Sequence, residues 1–114
     1  MSTTEMLLRL GITANYKGFL YLISAVEMCL ADEECLHLVT KQVYPQVARQ
    51  YKTNWRAVER NMRKAGEIAW LRQQAYLEEL ARGPLKQRPS NAQLLAILTM
   101  ARRLAAGERE RPAG

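Results

Sequence analysis

The segment Pro45-Gln-Val-Ala-Arg-Gln-Tyr51, followed by Lys52-Thr-Asn54 and then Trp55-Arg-Ala-Val-Glu-Arg-Asn-Met-Arg-Lys-Ala-Gly-Glu-Ile-Ala-Trp70, decides how this chain is read. Proline lacks a backbone N–H but is welcome at a first helical position, so Pro45 is expected to open a short helix through Tyr51. Lys52 to Asn54 make a turn, and a long helix runs from about Trp55 to beyond Trp70. Short helix, turn and longer helix are the layout of a helix-turn-helix. Val47, Ala48 and Tyr51 are placed to pack against Val58 and Met62, with the small Ala48 where the two backbones approach. The glycine usual in such a turn is replaced by Lys52.

At about 100° per residue, Val58, Met62, Ala65 and Ala69 share one face of the long helix. Arg56, Arg60, Arg63 and Glu67 share the opposite face, flanked by Glu59 and Lys64. From Arg49 to Arg72 there are seven basic and two acidic residues, so +5 of the chain's net +6 sits on this segment. Such a helix suits the major groove of DNA, where Arg donates to guanine O6 and N7 and Glu accepts from cytosine N4. The alternative is a solvated, arginine-rich helix face. Trp55 and Trp70 could stack on bases, but core or helix-end packing is the use expected of them.

Outward from this segment the chain shows no strand-like alternation, no repeat and no linker. Ser2 and Glu5 form a capping-box signature for a short helix that Gly11 ends. A second helix is expected from about Asn15 to Leu30, burying Tyr16, Phe19, Leu20, Leu22, Ile23, Val26, Cys29 and Leu30. That is more than one stripe, which places this helix at the centre. Asp32 caps a segment with apolar Leu36, Val39, Val43 and Tyr44, which Pro45 interrupts. Gly83-Pro84 closes an irregular helical stretch from Tyr76 to Arg82. Ser90 and Gln93 form a second capping box before a last helix striped by Leu94, Ile97, Leu98, Ala101 and Leu104. The expected fold is an all-α compact bundle of about six helices over residues 1–106. Residues 107–114, with nothing to bury, are expected to be a disordered charged tail.

The composition agrees with one domain. The chain has 114 residues, 48% of them hydrophobic and 25% charged, enough for a core without disulfide or metal. Its apolar stretches are shorter than the ~18 residues a membrane span needs. Met1 to Glu5 carries no basic region and Arg9 interrupts Met6-Leu7-Leu8, so no signal peptide is expected and the protein is placed in the cytoplasm. Cys29 and Cys35 then read as reduced, buried thiols. Seventeen basic against eleven acidic residues, with a pI near 9.7, favour a polyanionic partner.

The sequence also resembles a known family, the C-terminal DNA-binding effector domain of the sporulation initiation transcription factor, a response regulator of endospore-forming Firmicutes. The residues that carry the resemblance are Tyr16-Lys17-Gly18-Phe19-Leu20-Tyr21-Leu22, Thr40-Lys41, Val43-Tyr44-Pro45, Val47-Ala48, Val58-Glu59-Arg60, Arg63, Glu67-Ile68-Ala69-Trp70 and Pro89-Ser90-Asn91. The resemblance implies a six-helix domain with a central helix-turn-helix that binds TGTCGAA-type boxes, often in tandem, as head-to-tail dimers. By position it implies that Glu59, Arg60 and Arg63 read bases. Arg56, Lys52, Lys64 and Arg49 are then expected at phosphates or flanking positions. Arg56-Ala57 stands where the family has a small polar residue and then Arg, and Asn61, Lys64 and Gly66 also differ from its usual residues. Gln73 to Lys86 does not match the region associated with RNA polymerase sigma factor. The family's phospho-acceptor receiver domain has no counterpart in these 114 residues.

Enzyme chemistry finds little support. There is no glycine-rich phosphate loop, and His37 has no paired carboxylate at a helical spacing with an apolar pocket around it. Cys29, Cys35 and His37 with Asp32 or Glu33 match no zinc spacing, so neither metal nor cofactor is expected. The expected function is sequence-specific binding of double-stranded DNA, without a small-molecule substrate or membrane. The rival is a protein-interaction module that binds sigma factor or a full-length sporulation regulator. A nonspecific nucleic-acid binder is the third reading.

Overall fold

The computed structural model describes residues 1–110, which form six α-helices joined by short connections. Helix α1 (Thr3–Arg9) opens on the expected capping box: Ser2 Oγ accepts from the Glu5 N–H at 3.0 Å, and Glu5 Oε1 accepts from the Ser2 N–H at 3.3 Å. The chain leaves α1 through Gly11, whose φ of +84° favours glycine. Arg72 donates to the Gly11 carbonyl at 3.2 Å, tying this turn to the far end of the long helix.

Helix α2 (Lys17–Ala31) is the central element, packed against α1, α3, α4 and α6. Phe19, Leu22, Val26 and Cys29 are buried as expected. Tyr16, Ile23 and Leu30 are only partly covered. Leu20 is exposed, and Tyr21 and Ala25 take core places instead. An almost uniformly apolar helix does not announce which of its residues faces outward. Cys29 and Cys35 are both free and buried. Burial, with smaller contributions from Cys35 and Asp32, pushes the Cys29 thiol up to about 11 against the opposing Arg103 charge, so it stays protonated at neutral pH.

Asp32 caps a short 3₁₀ turn (Glu33–His37) by accepting from the Glu34 N–H. A wide π turn (Val39–Val43) follows and runs directly into α3 (Tyr44–Gln50). As expected, Pro45 stands in the first turn of a short helix, which begins one residue earlier at Tyr44. The expected interruption is absent, because the π turn runs into that helix without a break. The Tyr44 N–H reaches back to the Val39 carbonyl, and this wider turn accommodates a ring that would clash in a regular α-helix.

Helix α4 (Trp55–Arg72) crosses α2 and α3, and α5 (Gln74–Ala81) follows it almost at once. Arg82, and not Gly83, adopts the left-handed conformation that ends α5. The Gly83 N–H donates to the Glu78 carbonyl and the Arg82 N–H to that of Glu79, a Schellman motif without its usual glycine. Helix α6 (Asn91–Glu110) opens on the second expected box, with Ser90 and Gln93 satisfying each other's backbone N–H. Leu94, Leu98 and Ala101 are buried, joined by Leu95, which lay outside the expected stripe; Leu104 is exposed. Arg102 bonds Thr3 and Glu27, and Arg103 bonds the Cys29 carbonyl and pairs with Glu33, so α6 holds α1 and α2 together. The helix continues through Glu110, so Gly107 does not end it; residues 111–114 of the expected tail lie outside the described residues.

Candidate nucleic-acid interface

Helices α3 and α4, with the turn between them, form the helix-turn-helix. Val47, Ala48, Val58 and Met62 lie together in the core, with Tyr51 partly buried beside them. The turn is a second Schellman motif. The Thr53 N–H donates to the Ala48 carbonyl at 2.9 Å and the Lys52 N–H to that of Arg49 at 3.4 Å. Lys52 takes the left-handed position with φ of +54°, where a side chain costs about 1–2 kcal/mol. Lys52→Gly is therefore expected to raise stability by about 0.5–1 kcal/mol, after the greater freedom of glycine in the unfolded chain is offset. Chemical denaturation checks this; a destabilised variant would mean that the lysine stem packs usefully.

Asn54 Oδ1 accepts from the Ala57 N–H at 2.9 Å and starts α4. The buried face of α4 is Val58, Met62, Ala65, Gly66 and Ala69. Arg56, Arg60, Arg63, Lys64 and Glu67 are exposed on the other side, with Arg49 and Lys52 exposed before the helix. The structure thus brings the α4 residues singled out in the sequence onto one exposed face of that helix. Glu59 sits partly buried at its edge and pairs with Arg63 at 3.1 Å. Arg60 has no hydrogen-bond or ion-pair partner among the described residues.

Two residues to which the sequence reading gave no role at this surface, Tyr44 and Asn91, position it. The buried Asn91 donates from Nδ2 to the Glu59 carbonyl and to the Tyr44 hydroxyl, both at 3.0 Å. The start of α6 is thereby fastened to α3 and to the second turn of α4. Burial raises the Tyr44 pKa, so the phenol remains a neutral partner for Asn91 at physiological pH. The sequence signals were the place of Asn91 directly after the Ser90 cap and the presence of both residues among those that carry the family resemblance.

Among the described residues no three His, Cys, Asp or Glu side chains group as a metal site needs, and no helix is long and apolar enough to cross a membrane. The model of the family described as sporulation initiation factor Spo0A C terminal matches residues 3–103. The chain belongs to the Spo0A C-terminal family. This is the DNA-binding domain of a sporulation transcription factor and not an enzyme family. The Spo0A C-terminal match covers α1 to α5, including the whole of the α3–α4 unit, and reaches residue 103 within α6, so double-stranded DNA is its partner class.

Proposed function

We propose that this protein is a cytoplasmic, sequence-specific transcription regulator that reads a TGTCGAA-type box with α4 in the major groove. The observation that carries the reading is the exposed face of α4, where Arg56, Arg60, Arg63 and Lys64 stand together over a fully buried opposite face. Arg60 is suited to a guanine because no internal partner competes for its guanidinium. Glu59 and Arg63 are suited to a C·G step, the carboxylate accepting from cytosine N4 and the guanidinium facing the neighbouring guanine. Their mutual ion pair keeps both side chains in place before DNA arrives, at little cost to break because exposed i,i+4 pairs are worth only about 0.3–0.5 kcal/mol.

Competition between a TGTCGAA-type duplex and a scrambled one tests this reading. Arg60→Ala is expected to cost about 1–3 kcal/mol on the specific duplex and little on the scrambled one. Equal losses on both would make Arg60 a phosphate contact. Equal wild-type affinity for both duplexes would make the chain a nonspecific binder.

A further inference from the structure

Trp55 is the first residue of α4 and is 45% exposed; every other aromatic residue among those described is buried or partly buried. The expected packing use is not what the fold makes of it. Trp70 packs against the core, whereas Trp55 lies at the open end of the helix. Capping does not explain the indole either, because the Asn54 side chain performs that role. The Nε1–H has no acceptor among the described residues. Neither the core nor the helix cap therefore accounts for the exposed part of this ring.

Its surroundings point outward to a polyanion. Lys52 and Arg56 flank it, the first turn of α4 contains no acidic residue, and the Arg56 guanidinium lies 5.4 Å from the ring centroid. In a helix-turn-helix the N-terminal end of the second helix is the end presented to DNA. Trp55 stands one turn before Glu59, displaced from it by about 40° around the helix axis. The ring thus borders the surface assigned to base reading. An indole offers a flat apolar face for a deoxyribose or a thymine methyl, and an edge N–H for a phosphate oxygen. The stacked Arg56 is held where the same phosphate could receive it.

We propose that Trp55 is a DNA-contact residue that packs its indole against an apolar edge of the duplex, deoxyribose or thymine methyl, beside the base-reading residues. The inference rests on α4 being the recognition helix. Its test is fluorescence anisotropy of a labelled TGTCGAA-type duplex at one salt concentration, with the wild-type chain, Trp55→Ala and Arg60→Ala, each verified as folded by circular dichroism. Trp55→Ala is expected to weaken binding on the order of tenfold. In a Trp70→Phe background the remaining emission, from Trp55, is expected to change when the duplex saturates. Replacing the thymines with deoxyuracil identifies the edge. If the wild type loses affinity and Trp55→Ala does not, the contact is a methyl group; if neither changes, it is deoxyribose. Unchanged affinity of Trp55→Ala alongside a weakened Arg60→Ala overturns this inference alone. A wild-type chain that fails to bind the duplex overturns the recognition-helix reading and this inference together.

Discussion

Gly18→Ala is expected to destabilise the protein by about 3 kcal/mol, at the upper end of what overpacking a core costs. In an exposed helix the same exchange would stabilise by roughly 0.5–1 kcal/mol, because alanine is the better helix former. The sign is reversed here by contact. A Cβ on Gly18 would lie 2.3 Å from the Asn61 carbonyl oxygen and 3.0 Å from the Ala65 Cβ. The obstacle is backbone in the middle of α4, which cannot rotate away as a flexible side chain can. Relief requires moving α4 off α2. Because Asn61 lies between Arg60 and Arg63, that movement would displace the exposed basic face of α4 as well. Gly66→Ala is the internal control. Its Cβ would meet nothing nearer than 3.5 Å, so this substitution is expected to be neutral or stabilising by up to about 1 kcal/mol. Urea denaturation of both variants, with matching slopes, measures the difference. A Gly18→Ala protein as stable as Gly66→Ala would show that α2 and α4 separate at little cost.

The contrast between these glycines marks what the sequence makes legible. Periodicity identifies the buried face of α4 because its apolar residues form one stripe against a charged one, and the structure keeps Val58, Met62, Ala65 and Ala69 inside. The two capping boxes are equally legible, since both partners lie within one turn. Gly18 carries no such local mark, because its requirement comes from a helix more than forty residues away. The Asn91 bridge to Tyr44 and Glu59 is hidden for the same reason. Lys52 and Arg82 show a different limit. Each occupies a left-handed cap where glycine is the usual signal, so the turns are visible in the sequence and their conformations are not. On α2, where apolar residues nearly encircle the helix, the pattern fixes centrality but misplaces Leu20 and Tyr21. The candidate site was largely legible because charge on one helix face is itself a local pattern. Trp55 was the exception, since a tryptophan reads as core until its exposure is seen.

Duplex affinity is expected to fall several hundred-fold between roughly 50 and 200 mM salt, following a log–log slope of about −4 to −5. Arg49, Lys52, Arg56, Arg60, Arg63 and Lys64 are all exposed on or beside α3–α4. If about 4–6 phosphates are neutralised per subunit, the released counterions give this slope. The slope also separates roles that a single affinity merges. Removing a phosphate contact with Arg56→Ala should make it shallower by about one, whereas Arg60→Ala should leave it nearly unchanged while lowering sequence preference. A slope near −1 for the wild type would mean that the basic face does not lie along the duplex. The same titrations bear on assembly. The 114-residue chain is expected to be a monomer in solution and to pair on two tandem boxes, where the duplex supplies the effective concentration. Head-to-tail pairing joins two different surfaces, so each subunit keeps its own α4 free for its own box. Sedimentation with and without a two-box duplex should show one protomer alone and two on DNA. A stable dimer without DNA would require a dedicated oligomer interface. A single protomer on a saturated two-box duplex would instead mean that each chain reads its box alone.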